Sequence, residues 1–406
     1  MGIFSVISLL GGLSIFLYGM DIMGDGLKSS SSKALKSMLE KVTHSAVLGM
    51  LTGTLVTSVI QSSTATIVLT VGLLSAGILN LRQSISIVMG ANIGTTVTAQ
   101  IIRLMDINSS GAAFIEIFKP STLAPLAVLC GIIFLKFVKS QKTKGIGMML
   151  MGFGILFTGL MGMTEAVSPL SESQAFTDVL QKFSDVPILG ILTGLITTFI
   201  VQSSSAVIGM VQALSSTGAF TFQTVYPLII GINLGTCITT AIVCSIGTDK
   251  DAKRTGIAHI LFNCIGTVLF MAAIPLLHHA GALNFIWGKP MNSGGIANFT
   301  TIFNLVTAVA LLPFTNQLVK LTTLIVKDSP DDTEDFYPEM RTLDEKLFIS
   351  PALALHQVNI AEASMGRLAR KNFNRSIDQL VSYDPERSAK ISSVEDRLDS
   401  FTDAAE

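Results

Sequence analysis

An internal repeat of 51 residues is the feature that most restricts how this chain can fold. Residues 48–98 align with residues 189–239 without a gap, at an offset of 141, and 19 of the 51 aligned positions are identical. Both copies contain a QSS.A motif, which begins at 61 and at 202, and a G.N.GT motif, which begins at 90 and at 231. Each QSS motif is polar and lies within an apolar run. The repeat predicts two similar halves, each with a polar break.

The composition excludes an ordinary soluble domain. The 406 residues are 49% hydrophobic and only 14% charged, and the mean hydropathy is +0.61. Soluble domains carry about 25% charged residues. We therefore expect an all-α polytopic membrane protein whose main surroundings are the lipid bilayer, with no nucleic-acid partner.

Seven apolar segments are long enough to cross a bilayer, at about 3–20, 83–104, 121–137, 145–163, 222–246, 255–278 and 300–320. The apolar stretches beside the first QSS motif, 46–60 and 65–79, contain only 15 residues each. At ~1.5 Å per residue they extend ~22 Å, which is less than the ~30 Å hydrocarbon core. We expect a re-entrant helical hairpin with the QSS motif at its tip in each half. Two ordinary spans joined by a polar turn are the alternative.

Charge distribution predicts the orientation, because Lys and Arg are enriched in cytoplasmic loops. The segment 164–186 is acidic and should lie outside. A looser match at an offset of 140 pairs 16–20 with 156–160, so each copy begins with a helix. Three crossings separate the two starts, and this odd number predicts inverted repeats, the architecture of secondary transporters. The basic residues expected in the cytoplasm are Lys28, Lys33, Lys36, Lys41, Lys136, Lys139, Lys142, Lys144, Lys250, Lys253 and Arg254.

The hydroxyl and amide groups of the two QSS tips are the candidate binding site. In a region without water such groups must bond to one another or bind a ligand. The helix that follows each tip offers free N–H groups to an anion, and the helix that precedes it offers carbonyls to a hard cation such as sodium. The predicted ligands are Gln61, Ser62, Ser63, Thr64, Gln202, Ser203, Ser204 and Ser205.

Further uncharged polar residues are candidates for a supporting role: Asn92, Thr95, Thr96, Asn233, Thr236, Asn263, Asn298 and Asn304. The alternative is that Ser and Thr bond to their own helices and that the glycines allow close helix packing. His259 is interpreted as a packed or interfacial histidine and not as a ligand.

Carboxylates are expected only near the ends of the proposed spans, at Asp21, Asp106, Glu116, Glu165 and Asp249. This placement disfavours proton coupling through a buried carboxylate and favours sodium as the coupling ion. No His, Cys or carboxylate accompanies the serines in sequence, which disfavours an enzyme. We expect no cofactor.

The two QSS motifs, together with GANIGTT, GINLGT and LFNCIGT, closely resemble the bacterial branch of the type II sodium/phosphate cotransporter family. The resemblance covers residues 1 to about 320. It implies sodium-driven import of inorganic phosphate by alternating access in the bacterial inner membrane, with substrate and sodium held at the QSS tips. Thr64 departs from a QSSS pattern but keeps a hydroxyl.

The chain divides into a membrane transport domain at 1–325, an acidic linker at 326–342 and a helical region at 343–406. The transport domain comprises a first repeat at about 3–137, a second at about 145–278 and an extra helix at about 298–320. Residues 343–406 resemble the opening helices of a PhoU-like domain, which we expect to be incomplete here. The acidic, proline-broken linker is typical of a cytoplasmic tether and predicts a cytoplasmic C-terminus.

Two other functions remain open at this stage, a passive anion channel and a membrane phosphate sensor. A channel typically has a continuous polar or basic lining. Polarity here is concentrated at the tips, which favours an occluded site. A homodimer is one alternative for the oligomeric state.

Overall fold

The computed structural model describes residues 3–40, 45–75, 78–106, 119–174, 178, 180, 182, 185–245, 250–327 and 351–405. These residues are almost entirely helical, and an isolated bridge between Thr221 and Pro290 is the β-type pairing among them. Lys41, Glu116, Asp249 and most of the predicted linker lie outside the described residues. The helices are α1 Ile3–Glu40, α2 Ala46–Ile60, α3 Ser63–Ser75, α4 Leu81–Ile102, α5 Pro120–Phe137, α6 Gln141–Val167, α7 Pro187–Val201, α8 Ser204–Ser215, α9 Phe222–Ser245, α10 Lys250–His279, α11 Ser293–Leu311, α12 Thr315–Ile325, α13 Pro351–Val381 and α14 Pro385–Ala405.

The prediction of an all-α membrane protein is confirmed. Within the described residues, seven helical segments are long and apolar enough to cross a membrane, and each coincides with one predicted span. The first continues well beyond the expected end at residue 20. Helices α2, α3, α7 and α8 are shorter, at 12 to 15 residues. The segments are Ile3–Ser31, Leu81–Asp106, Pro120–Phe137, Gln141–Leu170, Phe222–Ser245, Lys250–His279 and Ser293–Ile325.

Glycines at equivalent positions of the two copies allow the same close packing between helices. A Cβ atom at Gly53 of α2 would lie 2.0 Å from the Ile87 carbonyl oxygen of α4. At the equivalent Gly194 of α7, it would lie 2.3 Å from the Leu228 oxygen of α9. No side chain fits at either position, so the backbones are in direct contact. The sequence repeat is therefore a repeat of helix contacts.

Helices α1 and α6, which begin the two copies, pack against each other through a second set of glycines. A Cβ atom at Gly19 would lie 2.3 Å from the Leu156 nitrogen, so this pair is also in backbone contact. The facing residues run in opposite directions along the two helices, and the pair is therefore antiparallel. The facing glycines are Gly12 with Gly159, Gly19 with Gly152, and Gly26 with Gly145.

Phe16 of α1 connects this helix pair to α8, the helix that follows the second QSS motif. It is completely buried on α1, in a cluster with Leu156 and Leu160 of α6. Its ring lies against Gly209 of α8, where an added Cβ would be 2.7 Å from the ring. This contact holds α1 against the middle of α8.

Helices α13 and α14 form a separate hairpin. Asp384 accepts a hydrogen bond from the Glu386 N–H at 2.9 Å, and α14 begins at Pro385. Leu368 and Val394 are buried between the two helices. The PhoU-like resemblance stays a prediction.

Candidate functional site

Both QSS motifs interrupt a helix at the same position. Helix α2 ends at Ile60, and α7 ends at the equivalent Val201. The following residues, Gln61 and Gln202, have φ angles of 60° and 58°, and no other described non-glycine residue has a positive φ. Such a left-handed residue ends a helix, but it costs energy when it has a side chain. Two glutamines retained in this conformation point to a role for their side chains.

The first serine of each motif caps the next helix. The Ser62 hydroxyl accepts a hydrogen bond from the Ala65 N–H at 3.2 Å, and Ser203 accepts one from Ala206 at 3.2 Å. Capping by a serine oxygen is a common way to begin a helix. The first serine of each motif therefore has a structural task, whether or not it also contacts a ligand.

The next two hydroxyls of each motif are uncommitted. Ser63 and Thr64 begin α3, and Ser204 and Ser205 begin α8. None of the four hydroxyls has a hydrogen-bond partner within the described parts of the chain. They are therefore available to a ligand, unlike the many Ser and Thr hydroxyls here that bond to their own helix.

A cavity of about 220 Å³ lies between the two breaks. All eight residues that we predicted as ligands line it. The cavity is smaller than the ~300 Å³ that drug-sized ligands require, and suits a small ion. Its described lining consists of Leu17, Met20, Asp21, Gln61, Ser62, Ser63, Thr64, Thr95, Thr198, Gln202, Ser203, Ser204, Ser205, Thr236 and Thr239.

Four threonines line the cavity as well, and only two of them were predicted. Thr95 and Thr236 belong to the G.N.GT motifs and were expected near the site. Thr198 and Thr239 were missed. Both are identical to their repeat equivalents, Thr57 and Thr98, so the repeat alignment contained a signal for them.

None of the five supporting asparagines lines the cavity, which corrects the prediction. Asn92 donates to the Val88 carbonyl of its own helix at 2.9 Å, and its side-chain oxygen lies 3.1 Å from His259 Nε2. Asn263 is 3.5 Å from the same oxygen. Three buried polar side chains, one on α4 and two on α10, thus join these helices. His259 is completely buried there, consistent with a packing role.

The second copy has a matching pair. Asn233 donates to the Ile229 carbonyl at 2.8 Å and accepts from Asn304 at 3.2 Å. These bonds connect α9 with α11. These asparagines therefore connect the helices that carry Thr95 and Thr236 to their neighbours, although the side-chain oxygens of Asn263 and Asn304 are buried without a partner among the described residues.

Two further supporting candidates also lie elsewhere. Thr96 donates to the Ile93 carbonyl of its own helix at 2.8 Å. Asn298 accepts a hydrogen bond from Arg103 at 3.1 Å. Neither lines the cavity, so the interpretation of Ser and Thr as bonding to their own helix was right for Thr96.

The expectation that no carboxylate lies centrally was wrong for Asp21. Helix α1 continues past residue 20, and Asp21 lies four residues from the middle of the apolar segment Ile3–Ser31. Its exposed side chain lines the cavity. The first span was predicted to end at residue 20, because Asp21 was interpreted as lying near the end of the span. Asp106 does lie at a helix end, where its carboxylate accepts the N–H groups of Ser293 and Gly294.

The electrostatics of the cavity suit an anion together with a cation. The amino ends of α3 and α8 border it, and each helix end is equivalent to roughly half a positive charge. No Lys or Arg occurs among the described lining residues. Hydroxyl and amide oxygens are abundant, and these are ligands for hard cations.

These features define a class of protein. The described residues include seven apolar segments long enough to cross a membrane, and a small polar cavity lies where two equivalent helix breaks meet. Broken helices that meet at a small polar site are typical of membrane transport proteins.

The chain belongs to the Na+/Pi-cotransporter family. It matches the family over residues 15–165 and again over residues 161–308. The two matches correspond to the two copies of the repeat. The resemblance inferred from the QSS and G.N.GT motifs is thereby confirmed.

Named relatives are found in bacteria and in animals. The chain is 29% identical to the uncharacterized protein YqeW of Bacillus subtilis, over 77% of this chain and 95% of that one. It is 22% identical to "Putative inorganic phosphate export protein YjbB" of Escherichia coli K12, over 97% of this chain and 68% of that one. A segment covering 26% of this chain and 16% of the relative is 34% identical to human sodium-dependent phosphate transport protein 2B. No solved structure matches the chain.

Proposed function

We propose that this protein is a sodium-coupled secondary transporter that imports inorganic phosphate by alternating access. The observation that carries the proposal is the meeting of two equivalent QSS breaks at one polar cavity. The family supports phosphate transport, and the name of the human relative supports coupling to sodium.

Phosphate fits the cavity chemically. Its oxygens accept hydrogen bonds, and the uncommitted hydroxyls of Ser63, Thr64, Ser204 and Ser205 can donate them. The amino ends of α3 and α8 offset part of its charge. Inorganic phosphate carries more than one negative charge on average at pH 7, and no described lining residue is basic. Co-bound sodium would supply the remaining positive charge.

Alternating access requires a site that can face either side of the membrane. Inverted repeats provide one, because each half can take the conformation of the other. The antiparallel packing of the equivalent helices α1 and α6 supports inversion, since a two-fold axis between equivalent helices produces that arrangement. The short helices α2, α3, α7 and α8 support two re-entrant hairpins whose tips meet within the membrane.

The direction of transport follows from the coupling. Bacteria maintain an inward sodium gradient, so a sodium symporter takes up phosphate. The name of the YjbB relatives favours the second candidate, phosphate export. We place the protein in the bacterial inner membrane with its C-terminal region in the cytoplasm, consistent with the basic loops.

Transport into proteoliposomes tests the function. Labelled phosphate should accumulate when sodium is higher outside, and it should fail to accumulate when choline replaces sodium. Imposing the reverse sodium gradient on preloaded vesicles should drive efflux. Efflux that proceeds equally well without sodium would instead support an exporter. A pH gradient that drives uptake fully in sodium-free buffer would contradict sodium coupling.

A matched pair of variants links the transport to the cavity. Ser204→Ala removes an uncommitted hydroxyl from the cavity lining. Ser14→Ala removes a hydroxyl on α1 that bonds to the Leu10 carbonyl at 2.9 Å and does not line the cavity. We expect reduced phosphate affinity in the first variant only.

A further inference from the structure

The two copies of the repeat have a threonine at the same position, but the hydrogen bonding of its hydroxyl differs between them. In the first copy, the Thr57 hydroxyl donates to Thr66 at 2.9 Å and is satisfied within the protein. In the second copy, Thr198 is the equivalent of Thr57, but Val207 replaces Thr66. The Thr198 hydroxyl is buried without a partner among the described residues, and Thr198 lines the cavity. A buried hydroxyl without a partner costs stability unless a ligand binds it.

The two halves also differ in that only the first contributes a charged side chain to the described cavity lining. Asp21 is the one charged residue in the described lining, and at the offset of 140 its equivalent in the second copy is Met161. Asp21 has no hydrogen-bond or ion-pair partner in the part of the chain that the structure describes. Lys28, two turns along α1, is bonded to Asp25 at 3.1 Å. Lys28 therefore attracts the Asp21 carboxylate only from a distance and against the repulsion of Asp25, and the carboxylate lines the cavity without an ion-pair partner among the described residues.

A lone carboxylate conflicts with a cavity that binds only an anion. Like charges within a few ångströms repel each other, and more strongly away from bulk water. The conflict disappears when a cation lies beside the carboxylate, because the cation attracts both the carboxylate and the phosphate. Carboxylate and hydroxyl oxygens are also the ligand types that sodium and other hard cations prefer.

We propose that Asp21 and Thr198 are ligands of a sodium subsite in this cavity, and that this subsite occurs once per protein. The subsite has no counterpart in the other half of the protein. Met161 stands at the position equivalent to Asp21, and the Thr57 hydroxyl, which is equivalent to that of Thr198, is hydrogen-bonded to Thr66. The inference rests on the proposed function for the identity of the co-bound anion. The assignment of Asp21 and Thr198 as cation ligands rests on the residues and geometry of the cavity and not on the proposed function.

The test is the sodium dependence of thermal stability, measured on the purified full-length protein in detergent without phosphate. A ligand that binds the native state raises the melting temperature. Sodium should raise the melting temperature of the wild type above that in choline at equal ionic strength. In Asp21→Asn the sodium concentration for half of the effect should rise about tenfold or more, because a charge-assisted contact is lost.

A second test uses a matched pair of variants at equivalent positions of the repeat. Thr198→Val should raise the half-maximal sodium concentration about threefold to tenfold. Thr57→Val, at the equivalent position, should leave it unchanged, because that hydroxyl is bonded to Thr66. This pair decides the question if Asp21→Asn does not fold.

Unchanged sodium midpoints in Asp21→Asn and Thr198→Val would overturn the subsite. It would also be overturned if sodium-free, pH-driven phosphate uptake by the wild type were lost in Asp21→Asn, since the carboxylate would then carry a proton. Sodium stabilisation that depends on Asp21, in a protein that does not transport phosphate, would support the subsite and refute the proposed function.

Discussion

Replacing Ser63 or Ser204 with alanine tests whether their hydroxyls bind phosphate or stabilise the fold. Each residue begins a helix beside the cavity, and neither hydroxyl has a partner among the described residues. The folded protein without ligand should therefore lose little stability in either variant. The bound phosphate should lose one hydrogen bond, which is worth ~1 to 3 kcal/mol when one partner is charged. The apparent phosphate affinity should fall roughly fivefold to 150-fold.

The neighbouring serines give an internal contrast. Ser62 and Ser203 accept helix-capping hydrogen bonds at 3.2 Å. Replacing a capping serine with alanine costs ~0.5 to 2 kcal/mol of stability. Ser62→Ala and Ser203→Ala should therefore lower the melting temperature, whereas Ser63→Ala and Ser204→Ala should not.

Two measurements on all four variants and on the double variant of Ser63 and Ser204 decide the matter. Phosphate uptake is measured against phosphate concentration at saturating sodium, and the melting temperature is recorded in parallel. Wild-type affinity in Ser63→Ala, Ser204→Ala and the double variant would refute the assignment of the tips as the binding site. A fall in stability with unchanged affinity would mean that these hydroxyls are structural.

Three further predictions use the same preparations. Gly19→Ala should lower the free energy of unfolding by ~1 to 3 kcal/mol, because the added Cβ would meet the α6 backbone. Gly11→Ala is the control and should not lower it, because no atom lies within 4 Å of a Cβ at that position. Equal melting temperatures in the two variants would contradict the glycine packing. Gln202→Gly should keep or raise the melting temperature, since glycine adopts a positive φ without strain, while phosphate affinity falls; unchanged affinity would remove this glutamine from the site. In a cysteine-free background, cysteines at Lys142 and Gln174 should react with impermeant reagents from opposite sides, and labelling from the same side would refute the proposed topology.

Much of the fold was predictable because membrane spans and repeats are linear features of a sequence. A span requires ~20 apolar residues, and a short apolar run on each side of QSS is visible without a structure. The repeat identified both QSS tips, and all eight predicted ligands lie at one cavity. The family followed from the same motifs.

The errors arose where a side chain's direction decided its role. Asn92 and Asn263 share the same uncharged chemistry as the cavity threonines, and their position on the helix surface turns them toward each other. Asp21 was assigned to a helix end because charge is costly in a membrane, and the sequence does not show that a polar cavity lies beside it.

The sequence alone determined the membrane class, the two halves and the residues of the two tips, because hydrophobic length and repeated motifs depend on local order along the chain. Only the tertiary structure decided which hydroxyls remain free. Thr57 and Thr198 are equivalent threonines of the repeat, yet one is bonded to Thr66 and the other faces the cavity, because a hydrogen bond depends on the residue that packs opposite. The tertiary structure likewise brought Asp21 to the QSS tips, since residues distant along the chain meet only through helix packing.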